Sequence, residues 1–201
     1  VERILSTDIV PFVWGPPGLG KCLEGDSIVL TPYGGKKIKD LKVNDEICGI
    51  NSRGEKSNGF VTYLFKQKSQ NLLKIKTDQK EITCSPEHKF LTNNRGYVEA
   101  KLLDNHGSNV VEYTGEIYPH QKMVTESLYT KRTNEFRGTK ILGIDRLPQK
   151  KNGWQTYDIE TTLGNYIANG IVVHNSTLVG DICKERKWDL IDLRLSLLNP
   201  V

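Results

Sequence analysis

Residues 15–21 read Gly-Pro-Pro-Gly-Leu-Gly-Lys and stop one residue short of a phosphate-binding loop. The next residue is Cys22, where the pattern G-x-x-x-x-G-K-[ST] requires a hydroxyl. The missing pair, Ser176-Thr177, stands directly after His174-Asn175. Joining Lys21 to Ser176 completes the loop. The 154 residues between the two halves, 22–175, begin with a nucleophile, end in Asn and are followed by a second nucleophile. Self-excision accounts for all four facts.

The chemistry follows from the residue types. The Cys22 thiol can attack the Lys21 carbonyl through a five-membered ring, and a thiol is the best side-chain nucleophile despite a reference pKa of about 8.5. The thioester lies above the amide in energy, so the fold must strain the amide or protonate its nitrogen. Ser176, held nearby, can take over the acyl group with the advantage of effective molarity. The Asn175 side-chain amide can then attack its own carbonyl, close a succinimide and release the segment. Cys22 and Asn175 are therefore expected close together, on adjacent strands.

Composition sets the frame for that chemistry. The chain has 201 residues and a net charge of +4, enough for one or two domains with a core. Residues 1–21 and 176–201 are each neutral, so the excess resides in 22–175, spread along the segment. Such a pattern is a solvated surface, and neither nucleic acid nor membrane is expected as a partner. No apolar run approaches 18 residues. The cysteines, at 22, 48, 84 and 183, form no C-x-x-C and no close His pairing, which argues against a metal site or a disulfide framework and for a reduced, cytoplasmic setting. The chain lacks an initiating Met and reads as a piece of a longer product.

Three zones position the reactive groups. Residues 1–21 read as a strand (Ile9–Trp14) entering a Gly/Pro loop. Residues 176–201 read as a helix over 177–187 and an apolar alternation over 190–198. Together they make the opening βαβ unit of a nucleotide-binding domain once the insert is gone. The middle zone, 22–175, is all-β in pattern. Its short β-branched runs fall at 27–31, 46–50, 60–66, 72–76, 81–84, 89–92, 140–147, 155–160, 166–168 and 171–173, separated by Gly-containing turns. Lys36–Leu41 faintly echoes Tyr97–Leu102, which suggests duplication. Residues 104–138 are polar and read as a surface excursion.

Cys22-Leu23-Glu24-Gly25-Asp26-Ser27 resembles the first splicing block of inteins. Thr83-Cys84-Ser85-Pro86-Glu87-His88 resembles the block carrying their activating histidine, with Ser85 in the place of Thr. Tyr157–Glu160 and Asn165–Ser176 are similar to the two C-terminal blocks. The resemblance covers 22–175 and implies a mini-intein with the horseshoe-shaped all-β HINT fold. It also implies roles: Cys22 as first nucleophile, His88 acting on the scissile amide nitrogen beside Ser85, Asp158 tuning Cys22, His174 assisting Asn175, and Ser176 as acceptor. The family often carries a second histidine where this chain has Gly164, and the segment is one residue short. No LAGLIDADG-like motif pair occurs in 93–154, so no homing endonuclease is implied. The flanks, through Trp14–Lys21 and Asp192–Ser196, resemble the start of a MoxR-like AAA ATPase. That resemblance implies ATP and Mg²⁺ as cofactors of the joined host, bound by Gly15, Gly20, Lys21, Ser176 and Thr177. It also suggests a ring oligomer. Splicing itself is expected to need no cofactor, metal or partner.

Each residue alone has a plainer reading. Cys22, Cys48 and Cys84 could be core thiols, His88 a satisfied histidine, Asp158 a turn or ion-pair carboxylate, and Asn175-Ser176 a loop pair. Their order, together with the broken loop that heals across them, favours splicing. Two other classes remain open at this level: an ATPase fragment with an inert insertion, and a HINT domain that cleaves without ligating, for which Ser176 is dispensable.

Overall fold

A computed structural model of the chain describes residues 21–103, 109–115 and 135–175. The strand expected over 9–14, the helix over 177–187, the alternation over 190–198 and Cys183 lie outside the described residues, as do Gly15, Gly20, Ser176 and Thr177.

The described residues form β-strands joined by tight turns, with no α-helix. In chain order the strands are β1 (Leu23–Glu24), β2 (Ile28–Thr31), β3 (Gly34–Lys37), β4 (Glu46–Ile50), β5 (Lys56–Ser69), β6 (Leu73–Lys76), β7 (Glu81–Cys84) and β8 (Lys89–Thr92). They continue as β9 (Gly96–Glu99), β10 (Asn109–Tyr113), β11 (Phe136–Lys140), β12 (Gly143–Arg146), β13 (Trp154–Thr161), β14 (Asn165–Ala168) and β15 (Ile171–His174). One sheet runs β12-β6-β7-β1-β13-β5-β4. The other runs β11-β10-β8-β15-β14-β2-β3, with β9 on β8. The long β5 serves two partners: residues 56–60 pair with β4 and residues 61–69 with β13.

Period-two alternation builds the core. Leu23, Ile47, Val61, Ile75, Ile82, Phe90, Ile159, Tyr166, Ile171 and Val173 are buried in one cluster to which both sheets contribute. Each aliphatic side chain so buried contributes about 1.5–3 kcal/mol relative to leaving it in water.

The echo between residues 36–41 and 97–102 corresponds to a repeated unit. β2 and β3 form a hairpin that ends in a 3₁₀ turn at Ile38–Asp40; β8 and β9 form one that ends in a 3₁₀ turn at Ala100–Leu102. The two are tied down alike. The Ile38 N–H donates to the Ser27 carbonyl and the Ala100 N–H to the His88 carbonyl, both at 2.8 Å.

The surface excursion read over 104–138 is corrected in part. Residues 109–113 and 136–140 are paired strands of the second sheet, and Val110 is fully buried. The physical reason is the alternation Asn109-Val110-Val111-Glu112-Tyr113, which one charged residue masked. Glu112 is itself buried. Its carboxylate accepts from Thr77 Oγ1 at 2.7 Å and Thr139 Oγ1 at 3.0 Å, and Arg137 lies 3.5 Å away. A carboxylate so satisfied can occupy a sheet interior without the cost of an unpaired buried charge.

Candidate functional site

The first junction is built on β1, β13 and β5. β1 pairs with β13 as Leu23↔Tyr157 and Glu24↔Thr156, so continuing the antiparallel register sets Cys22 opposite Asp158. Residues two apart on a strand share a face, which aligns Thr156 with Asp158. Across β13 and β5, Thr156 is the partner of Gln67. Cys22, Asp158, Thr156 and Gln67 therefore converge on one face. Cys22, Asp158 and Thr156 are fully buried. Gln67 Nε2 donates to the Cys22 sulfur at 2.9 Å. Asp158 Oδ1 accepts from the Ile159 N–H at 2.8 Å and from the Tyr166 hydroxyl at 3.1 Å.

The second junction is built on the β14–β15 hairpin. Asn175 follows β15 and is fully buried. Its N–H donates to the Gly164 carbonyl at 3.2 Å, and its Nδ2 donates to the Thr161 carbonyl at 3.2 Å. The register of β13 on β5 slips between Glu160 and Thr161, an irregularity of the kind that re-aims backbone groups beside reactive sites. His174 Nδ1 is hydrogen-bonded to the Asn175 carbonyl; since a carbonyl only accepts, Nδ1 carries the proton in this contact. Tyr97 packs edge-on against His174 with ring centroids 4.7 Å apart.

A single turn joins the two junctions. β7 ends at Cys84, paired with Leu23, and β8 carries Phe90, paired with Val173. Residues 85–88 cross from one junction to the other. The Cys22 N–H donates to Ser85 Oγ at 2.8 Å. His88 is fully buried and sits edge-on to Phe90, centroids 5.7 Å apart. Neither of its ring nitrogens reaches a partner at hydrogen-bonding geometry. The Lys21 backbone raises the ring's pKa, against the larger effect of burial. The expectation of adjacent strands is thereby corrected: β1 and β15 belong to different sheets, and the 85–88 turn brings their ends together.

Burial sets the protonation states. It pushes the Cys22 thiol up to about 12, with the Asp158 carboxylate adding to the rise and the Thr156 and Gln67 side chains opposing it. It pulls His88 down to about 3, against the Lys21 backbone and with help from nearby His174 and Lys21. It raises the Tyr166 hydroxyl, beside Asp158, well above its ordinary range. At neutral pH the site holds a neutral thiol and a neutral imidazole.

Cys22, Ser85 and His88 thus meet at the first junction with Asp158, while His174 and Asn175 form the second. Lys21 lies at the edge of the first. Cys48 and Cys84 are buried thiols. Among the described residues no group of three or more His, Cys, Asp or Glu side chains could hold a metal ion. No described helix is long and apolar enough to cross a membrane.

Sequence reasoning missed Gln67, Thr156, Tyr166, Thr161 and Tyr97. Thr156 and Tyr166 carried a signal, the first by alternation with Asp158 and the second by following Asn165 in the late block. The others are placed by cross-strand register or hairpin closure, which no local spacing encodes. Gly164 sits at φ +76, in a turn whose N–H donates to the Thr161 carbonyl at 3.2 Å. In this left-handed conformation a residue with a Cβ is strained.

Solved inteins are among the structures similar to this chain. A DnaB intein from Synechocystis sp. PCC 6803 aligns with a TM-score of 0.60 at 20% identity, over 78% of this chain and 99% of that one. A DnaX mini intein from Spirulina platensis gives 0.58 at 25%, over 77% and 100%. The gp41-1 intein gives 0.54 at 26%, over 77% and 98%. Among curated proteins, a replication factor C small subunit from Pyrococcus horikoshii is 32% identical over 115 residues, 47% of this chain and 13% of that protein. A glutamine–fructose-6-phosphate aminotransferase from Methanocaldococcus jannaschii is 34% identical over 113 residues, 55% and 10%. The chain therefore spans only a small part of these relatives. The profile of the intein splicing domain matches residues 28–175. On that match, and with an all-β HINT fold shared with the solved inteins, the chain belongs to the intein splicing domain family, whose function is self-catalysed protein splicing.

Proposed function

We propose that residues 22–175 excise themselves and join residues 1–21 to residues 176–201. The observation that carries this reading is the turn at residues 85–88: Ser85 holds Cys22 of one junction by hydrogen bonds in both directions, and the turn leads to His88 and Phe90, whose strand pairs with Val173 beside the other.

The first step forms a bond from Cys22 Sγ to the Lys21 carbonyl carbon and breaks the bond from that carbon to the Cys22 nitrogen. The thiol proton ends on the freed amine. Ser85 holds the amide by accepting its N–H. His88, neutral and buried on the same turn as Ser85, is the group able to hand on a proton as the bond breaks. Asp158 opposes early ionisation of the thiol. Ser176 Oγ then attacks the thioester carbon and the Cys22 thiol leaves. Finally Asn175 Nδ2 attacks the Asn175 carbonyl carbon and the Ser176 amine departs. His174 Nδ1 polarises that carbonyl, and Thr161 orients the attacking nitrogen. The ester left between Lys21 and Ser176 moves to the adjacent amine and becomes a peptide bond.

The joined flanks restore a phosphate-binding loop, so the host reads as an ATPase of the AAA class, MoxR-like, using ATP and Mg²⁺. Relatives named for unrelated activities each match over 103–115 residues, which supports a segment separable from the activity of its host. Splicing itself needs no cofactor, metal, nucleic acid, membrane or partner on this reading, and the setting is cytoplasmic.

The test separates the steps. Asn175→Ala should accumulate a thioester or branched ester that added thiol cleaves at residue 21. Cys22→Ala should retain cleavage after Asn175 alone. Ligated flanks from either variant contradict the scheme.

A further inference from the structure

The Cys22 sulfur must carry growing negative charge as it attacks, yet its surroundings oppose that charge. It is fully buried, and Asp158 stands across from it. Tyr166, the next titratable group, is already engaged as a donor to Asp158 at 3.1 Å. Two polar side chains on the same face oppose the rise in the thiol's pKa by hydrogen bonding to the sulfur, Thr156 more than Gln67. A hydroxyl has one proton to give, and Thr156 Oγ1 directs its own to the Gln67 main-chain carbonyl at 3.1 Å. Gln67 is then the donor left for the sulfur, and its Nε2 lies 2.9 Å from Sγ.

Its placement is built rather than incidental. Gln67 is the register partner of Thr156 across β5 and β13. Its main-chain carbonyl takes a second hydrogen bond, from Gln155 Nε2, at 2.7 Å. The backbone that carries the carboxamide is thereby fixed from two sides, and the side chain needs only to reach across one strand to the nucleophile.

We propose that Gln67 is a catalytic residue of the first step, donating an N–H to the Cys22 sulfur as charge develops there. The step is the one given above, with the sulfur–carbon bond forming, the Lys21–Cys22 bond breaking and the thiol proton passing to the Cys22 nitrogen. Gln67 exchanges no proton. It supplies a preorganised dipole, the role donors play at developing anions elsewhere. The inference rests on the splicing reading.

The experiment measures thiol-dependent cleavage at residue 21 in the full chain carrying Asn175→Ala, across pH 6 to 10, using dithiothreitol. Gln67→Leu should lower the rate by about 10–100-fold at each pH, the range for a lost hydrogen bond to a charged group. Gln67→Glu, which replaces the donor by an anion, should be slower still. In a Cys22→Ala background, Gln67→Leu should leave cleavage after Asn175 unchanged, which shows the fold intact. The proposal is overturned if Gln67→Leu matches its parent, if it slows both cleavages equally, or if Gln67→Glu is as fast as the parent because the group accepts rather than donates. Absence of thiol-dependent cleavage in the Asn175→Ala parent itself would instead defeat the splicing reading.

Discussion

Cys22 and Ser85 hold each other by two hydrogen bonds: the Cys22 N–H donates to Ser85 Oγ at 2.8 Å, and the Ser85 N–H donates to the Cys22 carbonyl at 2.8 Å. The reciprocal pair fixes both sides of the residue whose sulfur, on the proposed scheme, attacks and whose nitrogen leaves. It also seats Cys22 on the turn that ends in His88.

Ser85→Ala removes the acceptor of the scissile amide N–H and leaves a buried donor unsatisfied, at a cost of about 1–3 kcal/mol. Thiol-induced cleavage at residue 21 should slow by about tenfold or more, and Ser85→Thr should restore it. Equal rates in the alanine variant would show that the hydroxyl does not hold the amide.

His88 should matter twice. As the proton-carrying group of the first step, its replacement by Ala should slow N-terminal cleavage by about 10²–10⁴-fold, while cleavage after Asn175 in a Cys22→Ala background survives. It should also make the fold acid-sensitive. The folded ring is held near 3 against about 6.5 in an unfolded chain, so the unfolded state takes up the proton first as pH falls. The stability gained by a neutral His88 is whole above about pH 6.5 and drains towards pH 3, at about 1.4 kcal/mol per pH unit. Urea midpoints at pH 7, 5 and 4 should fall more steeply for the parent than for His88→Gln. Parallel curves would return His88 to an ordinary core residue.

Gly164 explains a departure from the family pattern. At φ +76 the position suits glycine, and its carbonyl accepts the Asn175 N–H. Restoring the family's histidine by Gly164→His should cost about 1–2 kcal/mol and lower Tm by a few degrees. It should not speed cleavage after Asn175. A faster, undiminished variant would mean that the turn tolerates the histidine and lacks only its side chain.

The blocks at Cys22, Ser85–His88 and His174–Asn175 were legible because each sits at a strand end with a distinctive local string, Asp158 because it stands within the string Tyr157–Glu160 inside β13, and the strands at 46–50, 81–84 and 89–92 because β-branched runs stand between Gly and Pro turns. β3 and β9 were lost because Gly34, Gly35 and Gly96 read as turn alone, although the same glycines open paired strands. β10 was lost to the charge of Glu112. Gln67 and Thr161 act through register and a backbone irregularity, which arise only when distant strands meet. The expectation of adjacent strands failed for the same reason: the closure is made by a turn contributed from between the junctions.

Splicing and nucleotide binding should exclude one another in one molecule. On the proposed scheme Lys21 is acyl donor and Ser176 acyl acceptor before splicing, whereas a phosphate loop needs the Lys on the β/γ-phosphates and the hydroxyl on Mg²⁺. In the full-length host, the Cys22→Ala, Asn175→Ala precursor should fail to bind Mg-ATP and the spliced product should bind it. Equal affinity would remove the switch.

The central claim, excision with ligation, is tested most directly by the mass of the freshly expressed chain. The account predicts two species, a 47-residue joined product and the 154-residue insert, from the 201-residue precursor. Intact protein of 22.7 kDa alone, or the flanks released but unjoined, would contradict it.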